Sequence, residues 1–161
     1  MINLSKRKLF LTIFLISFIA LISAYFIEYV LGYQPCNLCL YERVPYFLAI
    51  LILLVNFKYN KLEKQFIFFL IIIFFIALLL SLYHLGIEQG LIEESLLCNL
   101  EKGTNIVDKD EILKQLQQKN ISCKDVAFKI FGLSLTSFNI VISLLLTISL
   151  TKVYIRYEKN K

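Results

Sequence analysis

The stretch "QPCNLCLYERVPYF", residues 34–47, decides how the rest of the chain is read. It places Cys36, Cys39 and Arg43 at the edge of an apolar run. A membrane helix needs neither two thiols nor a guanidinium there, so the motif points to chemistry. In a helix, Cys39 and Arg43 stand at i and i+4, on one face and about 6 Å apart along the axis. An arginine so placed favours a thiolate, as does a helix N-terminus, and it can donate to an oxygen of an electron acceptor. The plain alternative for Arg43 is an interfacial anchor. Pro35 suits a helix start. Pro45 costs a backbone bond and bends the helix if the helix begins by Cys39. A helix beginning near Arg43 leaves Cys39 just outside its first turn.

Composition sets the solvent. Of 161 residues, 58% are hydrophobic and 18% charged, with 14 Phe and 9 Tyr. A water-soluble domain of this length cannot hide that much apolar surface, so lipid is the expected surrounding. The net charge of +5 does not indicate nucleic acid, because the basic residues sit in short clusters beside apolar runs. The length allows one membrane domain, residues 1–161.

Four apolar segments, at about 9–31, 41–57, 66–85 and 130–154, approach the ~20 residues of a spanning helix. They predict an all-α, four-transmembrane-helix bundle with loops at about 32–40 and 86–129. The second segment is short unless Cys39 to Arg43 join it, which puts the motif at the membrane face. For the first segment a cleaved leader is the alternative. Its apolar region exceeds the usual ~7–15 residues, however, and no small-residue cleavage site is evident. Lys6 to Lys8, Lys58 to Lys64 and Lys152 to Lys161 fall on one side, with ten basic and two acidic residues in all. The positive-inside rule puts that side, with both termini, in the cytoplasm. All four cysteines then face outward, which in a bacterial inner membrane means the periplasm.

The long loop carries eight acidic and six basic residues over 86–130 and contains "VDKDEILKQLQQKN", residues 107–120. Asp108 can cap a helix there, with Glu111 reaching back and Val107 and Ile112 spaced as a hydrophobic staple. Ile112, Leu113 and Leu116 share one face. A short amphipathic helix is expected, lying on the bilayer surface or packing on its own loop.

Cys98 and Cys123 complete a set of four thiols on one side of the membrane. Such a set can staple the fold, bind a metal, or pass electrons. A Cys98–Cys123 bridge closes a sizeable loop. A Cys36–Cys39 bridge closes almost none and removes little entropy from the unfolded chain. Short Cys-x-x-Cys rings are more often reactive. Zinc ribbons supply two tight pairs, whereas the second pair here is 25 residues apart. Redox exchange is the leading reading, with the staple and a four-cysteine metal site as alternatives. No glycine pattern for a flavin or nicotinamide and no haem Cys-x-x-Cys-His is present, so a lipid-soluble quinone is the economical acceptor. The single histidine, His84, ends the third segment beside Tyr83, with Glu88 one turn on. It either delivers a proton to a reduced quinone or is an interfacial histidine with one hydrogen bond.

At these residues the chain resembles the DsbB family of bacterial inner-membrane disulfide-bond formation proteins. "PCNLCLYER" is similar to the family's first-loop motif, "LYHLGIEQG" to the end of its third helix and "FGLSLTSFN" to the start of its fourth, and Cys98 and Cys123 match its second-loop pair. The resemblance covers nearly the whole chain. It implies a quinone-dependent protein-dithiol oxidoreductase that reoxidises a periplasmic, DsbA-like thioredoxin-fold protein. It further implies that Cys98 receives the partner's attack and that the released Cys123 attacks Cys36. Cys39 then becomes the thiolate facing ubiquinone or menaquinone, with Arg43 and His84 near the quinone. The chain has no Trp, so any family role for one falls to Phe or Tyr. A quinone-linked oxidase of the vitamin K epoxide reductase type shares this logic, but usually carries its Cys-x-x-Cys late in the bundle.

Overall fold

The computed structural model of the chain describes residues 2–58, 63–93, 98, 122–124, 128–130 and 132–159. Each apolar run becomes a helix: α1 (Ile2–Tyr29), α2 (Asn37–Lys58), α3 (Glu63–Glu88) and α4 (Leu135–Lys159). An unpaired backbone group in lipid is costly and a helix satisfies its own, so a long apolar run has few other outcomes. The spanning portions are 22 to 26 residues long, enough to cross a hydrocarbon core of about 30 Å. Phe18, Leu54, Phe69 and Leu145, one from each helix, stay exposed, as side chains covered by lipid would. The chain is a multi-pass membrane protein with four candidate spans.

The helices run up and down in order, α1 along α2, α2 along α3 and α3 along α4. At one end Phe14 meets Phe57 and Lys64 pairs with Glu158 at 3.3 Å. A core that includes Ile13, Leu53, Leu70, Phe74 and Leu150 fills the bundle. A second, smaller cluster of Cys36, Leu38, Ile87, Cys98 and Cys123 closes the other end.

The sequence-based boundaries shift where capping chemistry decides them. α2 begins at Asn37 rather than near residue 41. The Cys36 carbonyl accepts the Leu40 N–H at 3.3 Å, and Cys36 Sγ accepts the Cys39 N–H at 3.3 Å. Cys36 is therefore the N-cap, and Cys39 lies in the first helical turn instead of a loop. Pro45 falls inside the helix and leaves the Tyr41 carbonyl without its usual donor. α3 runs on to Glu88 rather than 85. It stops at Gly90, whose φ of 73° lets the Leu91 N–H return to the Gly86 carbonyl at 2.9 Å. α4 begins at Leu135 rather than 130. The preceding residues form a small antiparallel hairpin of β1 (Lys129–Ile130) and β2 (Leu133–Ser134). Ser134 then caps α4, its Oγ accepting the Ser137 N–H at 3.4 Å. The amphipathic helix expected at 107–120 lies outside the described residues.

Candidate functional site

The first turn of α2 sets the geometry. As N-cap, Cys36 points its sulfur at the free N–H groups of the helix start. Cys36 and Cys39 are both thiols, with their sulfurs 2.7 Å apart. The Cys36 thiol is pulled down to about 5, first by its hydrogen bond with Cys39 and then by the bond and charge of His84, against burial, which pushes it up. Cys98 and Cys123 form a disulfide with Cα atoms 5.9 Å apart. That disulfide packs in one buried cluster with Cys36, and Asn37 Nδ2 donates to the Cys98 carbonyl at 3.3 Å. All four cysteines named from the sequence thus meet at one end of the bundle. The four-cysteine metal site loses two ligands to the disulfide, because metals bind thiolates. Cys36, Cys39 and His84 still offer three donor atoms within 4.8 Å of one another.

His84 is buried at the end of α3. Its Nε2 lies 3.5 Å from Cys36 Sγ, and its Nδ1 lies 2.9 Å from Glu42 Oε1 and 3.2 Å from Thr136 Oγ1. Thr136 in turn donates to Glu88 Oε1 at 2.7 Å. The other Glu42 oxygen accepts from Asn139 Nδ2 of α4 at 2.9 Å. Asn139 also donates to Ser81 Oγ at 2.8 Å and accepts from the Tyr46 hydroxyl. Arg43 turns the opposite way, toward α1: its Nη1 donates to Glu28 Oε2 at 2.5 Å, and its guanidinium lies 5.0 Å from the Tyr25 ring centroid.

Between α1 and α4 lies a cavity of about 410 Å³. Ile16, Ala20, Phe138 and Ile142 supply apolar wall, and Cys36, Cys39, Arg43 and His84 line it as well. Tyr33 and Phe128, whose rings meet edge-on at 5.1 Å, also border it. Sequence reasoning did not single out Glu28, Glu42, Thr136 or Asn139. A signal for the first two existed: an ionisable side chain inside an apolar run is by default functional or paired.

Residues 6–153 match the family described as "Disulfide bond formation protein DsbB". The chain belongs to the DsbB family. It is 34% identical to Uncharacterized protein RP370 of Rickettsia prowazekii (strain Madrid E), over 96% of this chain and 91% of that one. It is 29% identical to SPbeta prophage-derived disulfide bond formation protein B of Bacillus subtilis (strain 168), over 66% of this chain and 68% of that one. No solved structure matches the chain. Membership of the DsbB family carries thiol oxidoreductase activity in disulfide bond formation. In this DsbB-family chain the two cysteine pairs pack in one cluster, and Cys36, Cys39 and Cys123 line the cavity.

Proposed function

We propose that this protein is a membrane thiol oxidase that reoxidises a periplasmic, DsbA-like thioredoxin-fold protein and passes the electrons to a membrane quinone. The observation that carries this reading is the meeting of two cysteine pairs at an apolar cavity between membrane helices. In the proposed relay a partner thiolate attacks Cys98, which releases Cys123. Cys123 attacks Cys36, and the electron pair leaves on Cys39. Each step exchanges one S–S bond for another.

The cavity fits a quinone. Its volume of about 410 Å³ lies in the ~300–1,000 Å³ range of ligand sites, its walls are mostly apolar, and Arg43 offers fixed donors. Cys39, Arg43 and His84 would hold the ring, and ubiquinone and menaquinone both suit such a site. A quinone bound there would supply a sink for two electrons and two protons. The apolar walls keep water from the thiolate, while Glu28 and Tyr25 hold the guanidinium in place. Quinone reduction by the purified protein, driven by a reduced thioredoxin-fold partner, tests the whole reading. No reduction with either quinone would sink it.

The basic clusters support cytoplasmic termini. A membrane-impermeant thiol reagent, applied to reduced intact cells, is expected to label Cys98 or Cys123. Labelling that requires a broken inner membrane would reverse the orientation. The order of the relay has its own test, because removing a resolving thiol strands a mixed disulfide. A Cys123→Ser variant is expected to accumulate a covalent adduct between Cys98 and its partner, seen on a non-reducing gel, and a Cys98→Ser variant is not. Equal adduct from both would overturn the assigned roles.

A second reading is favoured by the three clustered donors Cys36, Cys39 and His84. They suit a soft divalent metal held by the reduced pair. Zinc released on thiol titration of the purified protein would identify it.

A further inference from the structure

We propose that Cys36, His84 and Glu42 form a thiol–imidazole–carboxylate triad in which Glu42 is a positioning residue that turns the basic nitrogen of His84 onto Cys36. The inference rests on the relay reading and adds to it the proton acceptor of Cys36.

The hydrogen bonds around His84 fix its tautomer. Thr136 has one hydroxyl proton, and it goes to the Glu88 carboxylate at 2.7 Å. At His84 Nδ1, 3.2 Å away, the Thr136 oxygen is therefore left to accept. Glu42 Oε1, at 2.9 Å from the same nitrogen, is also an acceptor when ionised. Both neighbours require Nδ1 to carry the proton. In the neutral ring Nε2 is then the bare nitrogen, and it is the atom 3.5 Å from Cys36 Sγ. A base whose far nitrogen is held by a carboxylate is the arrangement that activates nucleophiles in general.

Glu42 is itself held. Its second oxygen takes Asn139 Nδ2 at 2.9 Å, and Asn139 is fixed by Ser81 and Tyr46. The carboxylate therefore cannot swing away from the ring without breaking a network tied to α3 and α4. Among the described residues, the charged or titratable groups facing His84 are Cys36, Glu42 and, on its own helix, Glu88, whose Oε1 lies 3.7 Å from Nε2. Two of these groups are carboxylates and none is a cation.

The chemistry balances within the chain. When Cys98 attacks Cys123 in a Cys36–Cys123 bridge, the Cys98–Cys123 bond forms and the Cys36–Cys123 bond breaks. The electron pair stays on Cys36 as a thiolate, 3.5 Å from His84 Nε2. When Cys36 starts as a thiol, its proton moves to Nε2, which leaves a thiolate beside an imidazolium.

The test uses the full chain with Cys39, Cys98 and Cys123 changed to serine, so that Cys36 is the one thiol present. Its ionisation is followed by ultraviolet thiolate absorbance against pH, with neither quinone nor partner, so failure of the triad is distinguishable from failure of the relay. Glu42→Gln is expected to move the Cys36 titration up by about one pH unit or more. His84→Gln is expected to do the same, and the double variant to move it no further than either alone. Thr136→Val, which removes the second acceptor at Nδ1, gives a smaller upward shift and serves if Glu42→Gln fails to fold. Simple loss of a nearby negative charge works in the other direction and makes Cys36 more acidic. A downward shift or no shift in Glu42→Gln, or an upward shift that persists undiminished when His84 is already glutamine, would overturn the proposal.

Discussion

A Cys36→Ser variant is expected to lose steady-state thiol oxidation by about a thousandfold or more. Cys36 is the junction of the site. Its sulfur packs with the Cys98–Cys123 disulfide, lies 2.7 Å from Cys39 Sγ and lies 3.5 Å from His84 Nε2. A serine hydroxyl forms no disulfide, so electrons reaching Cys123 have no route to Cys39. The fold should not suffer, since Cys36 is an N-cap and serine is a preferred N-cap residue. The Cys98–Cys123 disulfide also stays intact. The variant should therefore oxidise one equivalent of partner dithiol per protein and then stop. Stoichiometric thiol transfer without quinone and steady-state quinone reduction with it, measured on one preparation, separate the two steps. Turnover within tenfold of the parent chain would mean that electrons bypass Cys36.

The sequence made the four spans, the two cysteine pairs, Arg43 and His84 readable, because each rests on local information. An apolar run of about 20 residues reads as a helix in lipid whatever its neighbours are. Cys-x-x-Cys followed by Arg announces itself by spacing. What the sequence concealed is pairing across helices. Glu42 stands next to Arg43, yet the two side chains part: Arg43 reaches back 15 residues to Glu28, while Glu42 meets His84, 42 residues on, and Asn139, 97 residues on. Nothing in the periodicity of α2 assigns those partners. The start of α2 stays open in the sequence between Cys39 and Arg43, because a cysteine is not among the residues usually read as an N-cap, although Cys36 Sγ fills that role here. The start of α4 is hidden for the opposite reason. The apolar pattern ran on through Ile130, while Gly132 and Ser134 turned that stretch into a hairpin and a cap.

An Arg43→Gln variant is expected to weaken apparent quinone affinity or turnover by roughly 10- to 100-fold, the equivalent of a charge-assisted hydrogen bond of about 1.5–3 kcal/mol. Arg43→Lys should fall between, since an ammonium keeps the charge but loses the planar fork. The ion pair with Glu28 complicates the single substitution. The two side chains are 14% and 20% exposed, so removing the cation leaves a largely buried carboxylate unpaired. Stranding a fully buried partner costs about 3–5 kcal/mol. Partial exposure reduces that figure here, but some loss of stability is still expected. The double variant Arg43→Gln/Glu28→Gln removes both charges and leaves two amides that can bond each other. It should recover the thermal stability lost in Arg43→Gln while keeping the quinone defect. Glu28→Gln alone retains the guanidinium and loses only what orients it, so its effect should stay below about tenfold and fall on KM rather than kcat. Thiol transfer from the partner to the Cys98–Cys123 disulfide should be unchanged in all of them, because that step does not involve the quinone. If the double variant regains the parent quinone kinetics, Arg43 serves only to neutralise Glu28 and anchor α1 to α2, and the quinone ring is held somewhere else.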